Sequence, residues 1–323
     1  MKALVQEGYG SADVLHLREI ARPAVPDDGV LVRVRAASVN AADGHFLHGQ
    51  LPVRLMMGFR RPKVPVRGMD LAGQVEAVGK DVTRFKPGDE VFGSAPGTFA
   101  EYAVAVEDRL APKPHRVTFE QAAAVPVAGL TALQGLRDQA RVQLGQRVVV
   151  YGAGGGVGTF AVQIARALGA HVTAVTGPGN VDLVRSLGPD ELIDYTREDF
   201  TRRSERYDVF FDVAANRPLA DCRRVLTPDG ALVMAGAPKG GAFTLVARLL
   251  GVAVRSRFGR RRIGMVMAKV KREDLAALAE LLESGKVSPA IDRTYSLEQA
   301  ADAVRYVASG RARAKVVIRV ADR

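Results

Sequence analysis

The chain has 323 residues, of which 47% are hydrophobic and 25% are charged, and its formal net charge is +11. This length is enough for two ordinary domains, and the composition is that of a globular protein. The single cysteine, Cys222, excludes a disulfide framework and any zinc site built from several thiolates. No apolar run reaches the roughly 18 residues of a membrane span. Residues 1–7 lack the apolar core of a signal peptide, so we expect a cytoplasmic protein.

The positive charge is concentrated in one segment. Between Gly230 and Arg272 there are ten Lys or Arg residues and no Asp or Glu. Residues 245–262 combine apolar side chains with arginines. We interpret this segment as a solvated basic face, with attraction of an anionic substrate or docking on an anionic membrane surface as the alternative. Nucleic acid is disfavoured as the main partner, because Phe243 and Phe258 are the only aromatic residues there that could stack on bases.

The N-terminal part is predicted to be rich in β-strands. Residues 31–36 and 72–79 alternate apolar and polar side chains, as half-buried strands do. Shorter strands are predicted at 90–92 and 99–104. Thr118 followed by Glu120 indicates a helix start, with a hydroxyl cap and an acidic first turn. A further helix is predicted over residues 131–140.

Strands and helices alternate in the middle of the chain. The predicted strands are 147–151, 172–176, 192–193, 208–213 and 231–235, and the predicted helices between them are 157–168, 181–187 and 219–226. This alternation predicts a doubly wound parallel sheet. After the basic segment we expect an amphipathic helix at 272–284, a helix from Ser296 to about residue 307, and a closing strand at 315–320.

A glycine-rich turn follows the strand 147–151 and opens a helix, which is the context of a dinucleotide site. Small residues are needed because the backbone touches a pyrophosphate and the helix packs closely on the strand. The helix N-terminus offers free N–H groups and a partial positive charge to the phosphates. A glycine turn without a ligand is the alternative. The predicted contacts in this turn are Gly152, Gly154, Gly155, Gly156, Val157 and Gly158.

The residues after the second strand of this unit favour NADPH over NADH. NAD-specific sites place an acidic residue there to bind the ribose 2′-hydroxyl, but no acid precedes Asp182. A 2′-phosphate is therefore permitted, and NADH is left open. The predicted contacts here are Thr176, Gly177, Asn180 and Tyr195. No Arg or Lys stands at the end of this strand either, which limits the expected selectivity for NADPH.

Several motifs in order carry a family resemblance: residues 36–43, 68–73, 85–91 and 123–132, the glycine turn, residues 193–195 and residues 315–317. With these motifs the chain resembles the medium-chain dehydrogenase/reductase superfamily, in its zinc-independent, zeta-crystallin-like quinone oxidoreductase branch. The resemblance implies an α/β fold. A GroES-like β-barrel catalytic domain would comprise residues 1–118 and 263–323, and a Rossmann domain with a doubly wound parallel sheet would comprise 119–262. It also implies an active site in the cleft between the domains and a homodimer.

The resemblance also predicts that no metal is bound. Zinc-dependent relatives carry Gly-His-Glu where this chain has Gly68-Met69-Asp70, and a cysteine ligand where it has Asn40. Methionine and asparagine do not replace imidazole and thiolate, and we interpret His45 and His48 as loop or core histidines. Without zinc, hydride addition from NADPH to a quinone or an α,β-unsaturated carbonyl is favoured over alcohol oxidation. The alternatives are an NAD(P)-dependent alcohol dehydrogenase, a non-catalytic NADPH sensor and an RNA-binding crystallin-like protein.

Within this family, Asn40 is expected to lie nearest the nicotinamide and the substrate and to donate a hydrogen bond to a developing enolate oxygen, with water supplying the final proton. Asp43 stands behind it, either in catalysis or in fixing its own loop. The remaining expected cofactor contacts are Thr131, Val213, Ala214, Ala235, Gly236 and Lys315. Ala314 precedes Lys315 where glycine is more usual. Hydrophobic pocket candidates, which could equally be core residues, are Met56, Met57, Phe59, Phe243 and Leu249.

Overall fold

The computed structural model describes residues 1–51, 54–55, 58–236 and 262–320, apart from the side chain of His45. Most of the predicted basic segment (237–261) lies outside the described residues, and so do the pocket candidates Met56, Met57, Phe243 and Leu249. The chain forms two compact units. The first unit comprises Met1–Leu130 and Lys269–Arg323, and the second comprises Thr131–Ala268.

The N-terminal part of the first unit is β-rich, as predicted. Its elements are β1 (Lys2–Gln6), β2 (Leu15–Glu19), β3 (Gly29–Val39), α1 (Ala41–His48), β4 (Asp70–Val78), β5 (Glu90–Ser94), β6 (Tyr102–Val106), β7 (Leu110–Pro112), α2 (Phe119–Ala123) and α3 (Pro126–Gln134). Helix α2 begins as predicted, because Thr118 and Gln121 exchange side-chain to backbone hydrogen bonds of 3.0 and 3.2 Å. Helix α3 begins five residues before the predicted helix and continues as a π-helical turn, Gly135–Ala140.

The second unit has the predicted alternation of strands and helices, with one further strand, Arg262–Met265, that the sequence did not predict. Its elements are β8 (Arg147–Tyr151), α4 (Gly156–Ala167), β9 (His171–Thr176), α5 (Val181–Ser186), β10 (Glu191–Asp194), β11 (Tyr207–Asp212), α6 (Leu219–Arg224), β12 (Leu226–Met234) and β13 (Arg262–Met265). The strands are parallel and lie in the order β10-β9-β8-β11-β12-β13. The strand order therefore reverses between β8 and β11, which is the switch point where such sheets bind dinucleotides.

The chain then returns to the first unit. The returning elements are α7 (Arg272–Glu283), β14 (Ile291–Ser296), α8 (Ala300–Ala308) and β15 (Lys315–Arg319). Strand β15 pairs antiparallel with β3, with Val316 opposite Val39, and completes a sheet ordered β14-β15-β3-β4-β5-β7 with β6 also on β3. This pairing brings the C-terminal strand beside the end of β3. Among the described residues, no helix has the length and apolar character that crossing a bilayer would need.

Candidate active site

Asn40 follows the last residue of β3 and precedes the first residue of α1. Both the oxygen and the nitrogen of its carboxamide make hydrogen bonds. The Lys315 Nζ donates a 2.7 Å hydrogen bond to Asn40 Oδ1, and Asn40 Nδ2 donates a 2.9 Å hydrogen bond to Asp70 Oδ2. The register of the sheet explains this meeting, because Val316 lies opposite Val39 and Ser38 lies opposite Asp70. Three adjacent strands thus place a cation, an amide and a carboxylate at one end of the sheet.

Asp70 is the centre of this buried polar network. It is fully buried, and its carboxylate accepts hydrogen bonds from Ser38 Oγ at 2.9 Å and from the Val127 N–H, in the first turn of α3, at 3.1 Å. Lys315 Nζ lies 3.6 Å from its Oδ2. Burial raises the pKa of Asp70 and lowers the pKa of Lys315, while their mutual attraction opposes both shifts. The geometry is that of a buried ion pair, with Lys315 within ion-pair distance and both Asp70 carboxylate oxygens hydrogen-bonded.

Asp43 supports the backbone of Asn40. Its Oδ2 accepts a 2.8 Å hydrogen bond from the Asn40 N–H at the start of α1. Its Oδ1 is buried and has no hydrogen-bond partner among the described residues. Burial raises the pKa of Asp43 to about 6, against the attraction of Arg67. This contact corresponds to the loop-fixing role that the sequence leaves open beside catalysis.

The raised pKa of Asp43 predicts a pH-dependent cost to stability. Because the folded protein holds this proton more tightly than the unfolded chain, stability falls as pH rises from the ordinary carboxyl value of 3.8 through about 6. The charges acting on Asp43 include Arg67, Asp70 and Lys315. We expect Asp43→Asn to raise the free energy of unfolding, and the gain over wild type should be roughly 2 kcal/mol larger at pH 7.5 than at pH 4.5. Urea unfolding of both proteins at both pH values measures this difference, and a variant that gains nothing at pH 7.5 relative to pH 4.5 contradicts it.

The glycine turn of the second unit lies between β8 and α4. Gly152 has φ +90°, a conformation that favours glycine. A Cβ on Gly158 would lie 2.2 Å from the Gly152 carbonyl oxygen, so helix and strand pack as closely as the sequence predicts. Gly155 is the N-cap residue of α4, and no side chain in the described part of the chain caps this helix or places a carboxylate in its first turn. The helix N-terminus is therefore open to an anion.

The residues after β9 and β10 lie beside this turn. A Cβ on Gly154 would come within 2.6 Å of the Asn180 side chain, whose Oδ1 is buried with no partner among the described residues. A Cβ on Gly177 would lie 2.9 Å from the Tyr195 hydroxyl oxygen. Tyr195 is 47% exposed and Thr176 is buried. Hydroxyl and amide groups thus line the edge next to the turn.

The other residues expected to bind the cofactor follow the next two strands. A Cβ on Gly152 would lie 3.0 Å from the Ala214 amide nitrogen, and one on Gly236 would lie 2.0 Å from the Val213 carbonyl oxygen. The Ala235 N–H bonds the Asp212 carbonyl at 2.8 Å. These residues therefore meet the turn at the carboxyl edge of the sheet. Thr131 is instead the buried first residue of the second unit, in α3.

Three residues of the Asn40 network were missed as functional candidates in the sequence: Ser38, Arg67 and Asp70. One signal was present for Asp70, because a carboxylate at the start of a strand of apolar residues is costly unless it is paired. Ala314, which stands where related sequences more often have glycine, has an unusual backbone conformation. Its φ is +49°, in the left-handed region that glycine adopts at lower cost. The pocket candidate Phe59 is 64% exposed.

Two family models match this chain. Residues 26–115 match the alcohol dehydrogenase GroES-like domain, and residues 187–318 match a family described as zinc-binding dehydrogenase. The side chains around Asn40 do not suit zinc, because the Asn40 oxygen faces the Lys315 ammonium at 2.7 Å, and an ammonium repels a divalent cation. Within the described ranges, no three His, Cys, Asp or Glu residues are grouped so that they could hold a metal ion.

Similarity to individual proteins covers almost the whole chain. A 2-methylene-furan-3-one reductase of Solanum lycopersicum is 34% identical, over 98% of this chain and 79% of its own length. A chloroplastic NADPH-dependent alkenal/one oxidoreductase of Arabidopsis thaliana is 33% identical, again over 98% of this chain and 79% of its own length. The structure of the quinone oxidoreductase from Coxiella burnetii is 30% identical with a TM-score of 0.88, over 99% of each chain. The chain therefore belongs to the medium-chain dehydrogenase/reductase superfamily, in its zinc-independent quinone oxidoreductase branch, and combines a GroES-like domain with a Rossmann-like parallel sheet.

Proposed function

We propose that this protein is an NADPH-dependent oxidoreductase that reduces a quinone or an α,β-unsaturated carbonyl compound. The observation that carries the proposal is the glycine turn at the carboxyl edge of a sheet with the dinucleotide-binding strand order. The names of the relatives point to the same chemistry: a 2-methylene-furan-3-one, an alkenal or alkenone, and a quinone. In each of these, a carbonyl group is conjugated to a carbon–carbon double bond.

The residues of the second unit fit a dinucleotide with a 2′-phosphate. The backbone from Gly154 to Gly158 and the open N-terminus of α4 would hold the pyrophosphate. Thr176 and Tyr195 carry hydroxyl donors for the 2′-phosphate, and Asn180 Oδ1, which has no partner among the described residues, offers an acceptor for a ribose hydroxyl. The first carboxylate after β9, Asp182, pairs with Arg185 at 2.7 Å. This arrangement favours NADPH over NADH.

Asn40 is the residue that we assign to the substrate. Of the Asn40, Asp70 and Lys315 group it is the most accessible, at 7% exposed. One Nδ2 hydrogen is held by Asp70, and the second would donate to the substrate carbonyl oxygen. When bound, NADPH supplies the hydride that reduces the conjugated system. The Asn40 donor then stabilises the negative charge that develops on the oxygen, as oxyanion-hole donors do. Asp43 holds the Asn40 backbone, and water supplies the final proton.

The proposal includes a homodimer in the cytoplasm. Strand β13 lies at one edge of the described six-stranded sheet, and exposed sheet edges pair readily with a second chain. The Arabidopsis relative is chloroplastic by name, so cell fractionation is the test of the cytoplasmic location. Light scattering of the purified chain tests the assembly: a mass of about twice 34.5 kDa supports the dimer, and a monomer refutes it.

A substrate panel tests the proposed activity. NADPH and NADH oxidation would be followed with 1,4-naphthoquinone, 3-buten-2-one, an alkenal, a saturated aldehyde and, in reverse with NADP⁺ and NAD⁺, a saturated alcohol. We expect turnover of the quinone or the enone, with kcat/KM for NADPH about tenfold above that for NADH, since one good phosphate contact is worth about 1.4 kcal/mol. Alcohol oxidation with NAD⁺ that chelators abolish would refute the assignment.

A further inference from the structure

We infer that Lys315 and Asp70 are a positioning pair that fixes the Asn40 carboxamide in one orientation, with its NH₂ group as the donor. The inference rests on the proposed function, in which Asn40 serves the substrate carbonyl, and adds roles for the two residues beside it. Lys315 Nζ is 2.7 Å from Asn40 Oδ1, and Asp70 Oδ2 is 2.9 Å from Asn40 Nδ2. The two ions themselves are 3.6 Å apart, so the three side chains form a closed triangle.

The chemistry of the two neighbours dictates the orientation of the amide. An ammonium group can only donate hydrogen bonds, and a carboxylate can only accept them. Rotating the carboxamide by 180° would turn its NH₂ group towards the Lys315 ammonium and its oxygen towards the Asp70 carboxylate. Both contacts would then be repulsive. Neighbours that can both donate and accept, such as hydroxyl groups, would impose no such preference.

The pair is itself held rigidly by the first unit. Asp70 accepts hydrogen bonds from Ser38 Oγ and the Val127 N–H, and Lys315 Nζ also donates to the Val39 carbonyl at 3.4 Å. Asp70 is 0% exposed and Lys315 is 2% exposed. Burying two ions is seldom the most stable choice for a core, and their best-attested use is to specify one arrangement. Here the arrangement that they specify is that of Asn40.

This assignment separates two roles for Lys315. A lysine that binds the cofactor should affect the Kd for NADPH. A positioning lysine should affect kcat, and only through Asn40. The double-mutant cycle of Asn40→Ala and Lys315→Met distinguishes them, because residues that act as one unit give non-additive losses.

The expected result of the cycle is specific. Lys315→Met lowers kcat for enone or quinone reduction about 10- to 100-fold and leaves the NADPH Kd, measured by fluorescence, within about threefold of wild type. Adding Lys315→Met to Asn40→Ala changes kcat by no more than about threefold. Losses that multiply in the double variant would overturn the inference. A Kd that rises about tenfold while kcat is retained would overturn it as well, and would make Lys315 a cofactor ligand.

Two further variants guard against misfolding. Lys113→Met is the matched control, since Lys113 belongs to the same unit, its side chain is only 7% exposed, it pairs with Glu90 at 3.2 Å, and it donates to the Pro114 and Val117 carbonyls at 3.2 and 3.0 Å. It should melt at a lower temperature and keep kcat. The double variant Asp70→Asn with Lys315→Met removes both buried charges together, so it folds where the single lysine variant fails. Its kcat should be as low as that of Lys315→Met.

A measurement that does not depend on catalysis tests this inference independently of the proposed activity. The NMR signals of the Asn40 side-chain NH₂ are identified by their loss in Asn40→Ala. We expect their hydrogen exchange to be about tenfold faster in Lys315→Met and unchanged in Lys113→Met, because the lysine holds the amide. Unchanged exchange in Lys315→Met overturns the positioning role. If the wild-type protein reduces no quinone or enone, the proposed function fails. The exchange measurement still shows whether the Lys315 and Asp70 pair positions the Asn40 carboxamide.

Discussion

Asn40→Ala is expected to lower kcat with a quinone or enone about 100- to 1000-fold, which is the loss measured when one oxyanion donor is removed elsewhere. The substitution removes the donor that we assign to the substrate oxygen, and the residues that we assign to the pyrophosphate and the 2′-phosphate of NADPH lie in the second unit. The Kd for NADPH should therefore stay within about threefold of wild type. Steady-state kinetics and fluorescence titration of NADPH measure the two quantities separately.

The matched control for Asn40→Ala is Gln6→Ala. Gln6 is a 1% exposed carboxamide of the same unit, and it donates to the Gly8 carbonyl at 2.7 Å. Truncating it should cost stability, by about 1–3 kcal/mol for the groups left unpaired, without changing kcat. If Asn40→Ala lowers kcat no more than Gln6→Ala does, Asn40 is not the substrate donor.

The second large effect is expected in the glycine turn. A Cβ on Gly158 would lie 2.2 Å from the Gly152 oxygen and 2.8 Å from the Ala153 Cα, both backbone atoms. In Gly158→Ala the turn must open, so we expect a lower melting temperature and an NADPH Kd raised about 30-fold or more, equivalent to roughly 2 kcal/mol. Differential scanning calorimetry and NADPH titration measure the two effects.

Gly155→Ala distinguishes an effect on the folding of the turn from an effect on NADPH binding. Gly155 has φ −87°, and a Cβ there would lie 3.5 Å from the Gly152 oxygen, an ordinary contact. The fold should therefore tolerate the methyl group, while a pyrophosphate lying against the backbone should not, and the NADPH Kd should rise about tenfold. Gly8→Ala is the control, because a Cβ there meets nothing within 4 Å. If both turn variants bind NADPH as the wild type does, the cofactor site lies elsewhere.

The second unit was the most predictable part of the fold. Strand β8, for example, is a short, mostly apolar run between Gly145 and Gly152, and local patterning is enough to identify such a strand. Helix α1 was not predicted, because the segment Ala41–His48 contains a glycine and lacks a regular apolar stripe. The start of α3 was also misplaced: the helix begins five residues earlier than predicted, at a proline, whose fixed φ suits the first position of a helix.

The buried network around Asn40 could be predicted only in part. Asn40, Asp43 and Lys315 were singled out by family resemblance, but their mutual contacts depend on the pairing of β15 with β3, whose residues are about 275 positions apart. No local pattern encodes such a contact. The role of Asp70 also depends on the fold. Strand β4 pairs with the other side of β3, and this pairing brings the Asp70 carboxylate to the Asn40 amide.

Transfer of deuterium from labelled cofactor tests the central claim most directly. The wild-type protein would be incubated with (4R)- and (4S)-deuterated NADPH and an enone, and the saturated product analysed by mass spectrometry and NMR. The account predicts that one of the two cofactors delivers deuterium to the β-carbon of the product, with the new α-hydrogen coming from water. A saturated product that carries no label from either cofactor, or no product while NADPH remains unoxidised, would contradict it.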